Sequence, residues 1–296
     1  MAETLLHKDW AGKTDGRPWM QRSLIVMFRV LPLWLLYGVM AVVVVFYILF
    51  GKSFGPTYRF FREGFGYGKL KAIWNVYVNH YHFGQLVLDR FGVYAGKQYE
   101  FETEGQALSD EVELRPEGFI QLSCHAGNYE MSGYSVHSRH KRFHILLYAG
   151  ETETIMENRR RIFAEHNVGL ILMKEDLSHL FILNSALENG DIVSMMADRI
   201  YGSQKSIECQ FLSHKAHFPI GPFAIAVQKN VPVLAVFVMK EGMKKYHIFI
   251  RRVTWDSTLG KREQIAQLAQ NFVSILEEML RRYPTQWYNY FDFWKQ

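Results

Sequence analysis

The sequence predicts an α/β fold: a mixed, mostly parallel sheet flanked by helices, with an N-terminal membrane helix in front of it. Three observations predict this. Short apolar runs alternate with segments of helical periodicity through the second half of the chain. About twenty residues without a charge, Val30 to Phe50, stand near the N-terminus. The stretch G-F-I-Q-L-S-C-H-A-G-N-Y-E-M-S-G-Y, Gly118 to Tyr134, passes from an apolar run through a Gly-Asn turn into a helix beginning near Tyr129.

The elements follow in order. Residues 1 to 23 are polar and of mixed charge, and W-A-G-K-T-D-G-R-P-W reads as a loop or interfacial segment. The uncharged run after it is long enough to cross a hydrocarbon core of about 30 Å. It is too long for a signal-peptide core and no small-residue cleavage site follows, so it is expected to be retained. Basic residues lie on both sides of it, so charge does not set its orientation, and Pro32 and Gly38 leave a bent or shallow helix open.

Tyr67 to Phe91 carries apolar residues at helical spacing and predicts an amphipathic helix. The acidic stretch from Glu100 to Glu117 predicts a peripheral strand and helix. Phe119 to Ser123 is expected to be a buried strand. Further strands are expected at Phe143 to Tyr148, Gly169 to Met173, Asp191 to Met196, Val231 to Met239 and His247 to Ile250. Helices are expected at Thr152 to His166, Leu177 to Glu188, Phe223 to Gln228 and Lys261 to Arg282.

Composition narrows the partners. The chain has 296 residues, 49% hydrophobic and 15% aromatic, which suits contact with lipid. A formal charge of +5 favours acidic partners: nucleic acid, an anionic membrane surface, or an acidic carrier or head group. No zinc-finger, helix-turn-helix or RNA-binding signature accompanies the charge, which argues against nucleic acid. The two cysteines, Cys124 and Cys209, are far apart and suit a reducing compartment. His137, His140 and His144 lack a carboxylate at metalloenzyme spacing, so no metal is expected. No serine-hydrolase elbow, phosphate loop or dinucleotide fingerprint is present, and no cofactor is expected.

His125 sits at a strand end, five residues before Glu130. One turn of helix can return that carboxylate to the imidazole, fixing its tautomer and strengthening it as a general base. The same spacing also surrounds histidines held for structural reasons.

The pattern H-x-x-x-x-E after an apolar strand resembles the motif of membrane-associated acyltransferases, and most of all the late lipid A (lauroyl/myristoyl) acyltransferase family. M-A-D-R-I at Met196 to Ile200, F-L-S-H-K-A-H-F-P-I-G-P-F-A-I-A at Phe211 to Ala226, and the tail P-T-Q-W-Y-N-Y-F-D-F-W agree with it in order and spacing. The resemblance implies a glycerol-phosphate-acyltransferase-like catalytic domain over residues 56–296 behind an anchor over residues 1–55. It implies an O-acyltransferase on the cytoplasmic face of a bacterial inner membrane. Its donor would be a thioester of acyl-carrier protein or acyl-CoA, and its acceptor a lipid hydroxyl, in lipid A or another outer-membrane lipid.

His125 and Glu130 would then be the catalytic dyad, with Asn128, Arg159, Asp198, Arg199 and Gly221 contacting substrate. The sequence departs from the family at Arg199, where a glutamine is usual, and at Ser213, where a glycine is usual. These departures keep other acceptors open: an aminoacyl lipid, a lysophospholipid or a polyene pigment. Two other classes also stay open, a non-catalytic membrane-anchored scaffold that binds lipid or carrier protein, and a thioester hydrolase.

Overall fold

A computed structural model describes residues 18–131, 138, 140–148, 156–157, 159–160, 163, 167–173, 176–200 and 205–295. His137 and most of the helix expected over Thr152 to His166 lie outside them. So does most of the N-terminal loop expected before Trp19.

Nine strands form two sheets among the described residues. The larger has seven: β1 (Glu100–Glu104), β2 (Phe119–Ser123), β3 (Phe143–Tyr148), β4 (Val168–Met173), β5 (Ile192–Met196), β8 (Val233–Lys240) and β9 (Lys245–Arg252), in the order β1-β9-β8-β2-β5-β3-β4. Every pairing in it is parallel except β8 with β9. The mixed, mostly parallel sheet flanked by helices is therefore the observed fold.

β8 shows why its sequence is an unbroken apolar run. Val233, Ala235, Phe237 and Met239 enter the core on one face, and Leu234, Val236 and Val238 enter the core on the other. Successive side chains alternate across a strand, so a strand covered on both faces has no place for a polar residue.

The α-helices whose bounds lie among the described residues are α1 (Pro18–Val30), α2 (Leu33–Phe50), α3 (Phe54–Arg59), α4 (Lys69–Tyr94), α5 (Gln106–Glu113), α6 (His179–Glu188), α7 (Gly221–Lys229) and α8 (Lys261–Arg282). The first departure is α1, a helix not expected over residues 20–29, which meets the expected loop or interfacial segment only at Pro18 and Trp19. Its apolar residues Ile25 and Phe28 close on the end of α4, and Pro32 separates it from α2. That contact is long-range, so local pattern did not reveal it.

The second correction is a hairpin. β6 (Ser206–Phe211) and β7 (His214–Pro219) pair antiparallel around a two-residue turn, Leu212 and Ser213, both left-handed at φ 48° and 68°. Such a turn matches the twist of its strands. It normally takes glycine or asparagine, and neither is present to announce it.

Candidate active site

The parallel pairing of β2 and β5 builds the site. Ser123 is in register with Met196, and two residues beyond each strand stand His125 and Asp198. Both lie at the carboxyl edge of the sheet, where α/β sites form. The Asp198 carboxylate takes the His125 side chain through Nδ1 (2.8 Å) and its backbone N–H (2.9 Å).

A third donor completes the carboxylate. Trp287 Nε1 donates to Asp198 Oδ2 at 3.0 Å, from the tail of the chain. That tail is strapped to the His125 loop by backbone bonds: Gly127 N–H to Gln286 O (2.7 Å) and Tyr288 N–H to His125 O (3.0 Å). Gln286 in turn exchanges two bonds with the backbone of Lys240 on β8. Gly127 is left-handed and lies against the carbonyl of Val238, where a side chain would collide. The turn after β2 is thus wedged between β8 and the tail.

Asp198 is fully buried. Burial pushes its carboxyl up, but His125 and Arg199 outweigh that and hold it down at about 2. The His125 imidazole shifts the other way. Burial and the neighbouring Arg199 charge push it below its ordinary value, against the pull of Asp198. At neutral pH the ring is therefore largely unprotonated, with Nδ1–H donating to Asp198 and Nε2 left as the basic nitrogen. The side chain retains 15% of its surface, so it is not sealed in.

Glu130 does not occupy the place expected of it. The carboxylate that meets the imidazole is that of Asp198, and Glu130 Oε1 takes Arg90 of α4 (2.7 Å) and Arg159 (2.9 Å). All three side chains are buried. The reason is register: the start of a helix aims Glu130 away along its own axis, whereas the neighbouring strand ends beside His125. Buried pairs of this kind cost about 3–5 kcal/mol when one partner is removed, so Glu130 holds two cations in place.

Of the remaining expected site residues, Arg199 is half-buried and fixed to the tail through Asn289 Oδ1 (2.8 Å) and the Tyr288 carbonyl (2.7 Å). Its charge acts on His125 through space. Asn128 donates to Tyr246 Oη (3.0 Å), and its backbone N–H goes to Val238. Arg159, Glu130 and Tyr129 edge a cavity of about 60 Å³ whose other walls include Phe143, Ile145 and Met195. Gly221 begins α7 in the open, exposed at the surface.

Tyr246 leads from the site to a second polar centre. Its hydroxyl donates to Asp89 of α4, which is fully buried and also receives the Tyr37 hydroxyl, the Tyr99 hydroxyl (3.1 Å) and Lys240 Nζ (2.7 Å). Each lone pair of that carboxylate meets a donor, as a buried charge requires.

Metal-ligating types meet once among the described residues. Glu102, Glu241 and His247 have ligand atoms within 4.8 Å, but the two carboxylates already bond Lys245 and Tyr283 at the surface. Of the earlier histidine group, His144 Nε2 pairs with Asp191 (2.9 Å).

Sequence reasoning missed Arg90 and the role of Trp287. The aromatic tail was visible as a motif, but nothing in it tells that one indole N–H reaches a carboxylate 89 positions earlier.

The fold and site define an α/β protein with a histidine–aspartate pair, its carboxylate buried, at the carboxyl edge of a mostly parallel sheet, strapped by its own C-terminal segment. The family model described as bacterial lipid A biosynthesis acyltransferase matches residues 96–296. The chain belongs to that family. No curated protein matches it. The match begins after α4, so α1 to α4, with Asp89 and Arg90, stand in front of the matched residues.

Proposed function

We propose that the protein transfers a fatty acyl chain from an acyl thioester, of acyl-carrier protein or coenzyme A, to a hydroxyl of a lipid acceptor in lipid A biosynthesis. It acts at the cytoplasmic face of a bacterial inner membrane. The observation that carries this reading is the His125–Asp198 pair, whose bond through Nδ1 leaves Nε2 free to act as a base.

Nε2 of His125 takes the proton of the acceptor hydroxyl as its oxygen attacks the thioester carbonyl. Asp198 holds the tautomer and stabilises the imidazolium that forms. The tetrahedral oxyanion collapses by expelling the thiolate, which recovers the proton from Nε2. The positive field of Arg199 favours the developing oxyanion. No acyl-enzyme is needed. Glu130, Arg90 and Arg159 position the floor beneath the loop. Asn128, Arg159, Arg199 and Gly221 remain the proposed substrate contacts, and the uncharged N-terminal helix keeps the site near a lipid that stays in the bilayer.

The test is mass spectrometry of total lipids from cells with the wild-type protein, with His125→Ala, and with the gene removed. One lipid class should lose an acyl increment in both altered strains. Full restoration by His125→Ala would sink the acyl-transfer mechanism, and release of free fatty acid without acylated lipid would identify a hydrolase.

A further inference from the structure

α2 has no charged residue over its 18 positions, yet it is buried on one stripe only. Leu33, Leu36, Tyr37 and Val44 face the protein, whereas Leu35, Val39, Val42, Phe46, Leu49 and Phe50 face outward, Phe50 with 84% of its surface free. A helix apolar all round needs apolar cover on every side. The protein covers one side.

The inner stripe lies along α4 for most of its length. Tyr37 meets Asp89, Met40 lies over Gly84, the Tyr77 hydroxyl donates to the Ala41 carbonyl (3.1 Å), and the Tyr47 and His80 rings are 6.2 Å apart. The same stretch of α4 is built into the interior. Asn79 donates to the Thr285 (3.1 Å) and Trp287 (2.8 Å) carbonyls, and Asp89 binds Lys240.

A perpendicular crossing would immerse α2 in about 30 Å of hydrocarbon. α4, Lys240 and the polar tail bound to α4 would be carried in with it, a costly burial of charge against lipid. Lying in the plane of one leaflet immerses the outward stripe alone.

The composition around the end of α2 fits a leaflet surface. Phe54, Leu70, Ile73 and Trp74 are exposed beside it, Leu70 with 84% of its surface free. Lys52, Lys69 and Lys71 are exposed among them, and Lys71 rests its ammonium 3.7 Å over the Tyr67 ring. From Gly51 to Trp74 there are five basic residues and one acidic. At the opposite end of α2, Trp34 and Arg29 are exposed too. Aromatic and basic side chains at both ends of an apolar stripe match the head-group level of one anionic leaflet.

We infer that the outward face of α2, with the collar of Phe54, Leu70, Ile73, Trp74, Lys52, Lys69 and Lys71, docks in the plane of one leaflet of anionic phospholipid, so that α2 does not cross the bilayer. This deepens the membrane part of the proposed function and is independent of its chemistry.

Two measurements on the full-length protein test it. Ser23→Cys and Lys52→Cys place single reactive thiols on either side of α2, the native cysteines being buried. In sealed inner-membrane vesicles of each orientation, an impermeant maleimide should label both positions from the same face. Labelling from opposite faces would overturn the inference. In flotation with phosphatidylcholine vesicles, with or without phosphatidylglycerol, the wild type should prefer the anionic membrane. Lys52→Gln/Lys69→Gln/Lys71→Gln should lose roughly 100-fold of that partitioning. Equal partitioning of wild type and variant would overturn the anionic assignment. Thioester turnover in detergent micelles, unchanged in the triple variant, separates the outcomes: a wild type inactive there refutes the enzyme reading and leaves the topology result standing.

Discussion

Asp198→Asn and Glu130→Gln, made side by side, decide which carboxylate serves the imidazole. In the protein Asp198 accepts three hydrogen bonds, two of them from His125. An amide in its place has one acceptor oxygen for those donors and turns an N–H towards another. Satisfying it forces the proton of the ring from Nδ1 to Nε2, and the base is lost. The charge-assisted bond to the imidazolium is worth about 1.5–3 kcal/mol, and the wrong tautomer adds a further barrier. Together these come to about 4 kcal/mol, close to a thousandfold in kcat. Glu130→Gln keeps the shape and one acceptor for Arg90 and Arg159, so its cost should appear in stability, about 2 kcal/mol, with kcat within about tenfold of wild type. The assay is acyl transfer from a thioester donor to lipid acceptor, read by mass spectrometry, with thermal unfolding measured on each variant. A Glu130→Gln enzyme that unfolds at the wild-type temperature but loses more kcat than Asp198→Asn would refute the reasoning.

Three further outcomes are expected. The neutral imidazole is the active form and lies below its ordinary pKa of 6.5, so kcat/KM should hold across neutral pH and fall only as acid protonates Nε2. A rate profile whose acid limb lies above 6.5 would contradict the burial argument. Ser213 stands at φ 68° in the hairpin turn, so Ser213→Gly should raise stability by about 1 kcal/mol, seen as a few degrees in thermal unfolding, without altering kcat. Lys240→Met leaves the buried Asp89 without its cation and should cost about 3 kcal/mol in denaturant unfolding.

Most of the fold was legible because its signals are local. β2, β3 and α8 occupy the expected residues, and β5 and α6 differ from expectation by at most two positions. The hairpin was not legible, since Leu212 and Ser213 adopt left-handed backbone without the residues that usually advertise it. His125 and Asp198 were both visible at strand ends, but strand order was not. β5 comes fourth after β1 in sequence and pairs with β2 through long-range register, so the natural guess was the carboxylate nearest along the chain. Arg90 carried no signal either, because its partner is set by the packing of α4 and not by its own helix.

The register of β2 against β5 has a consequence for how this protein can vary over evolutionary time. His125 and Asp198 meet because each stands two residues past an aligned pair. Losing or gaining one residue inside either strand would rotate a side chain to the opposite face and unmake the pair at a stroke. The connection between them is held in the same way where it forms β3 and β4, but not in the loops between those elements. Insertions and deletions should therefore accumulate in the loops that join the strands and be purged within the strands, so the distance along the chain from His125 to Asp198 can drift through those loops while their distance in space cannot.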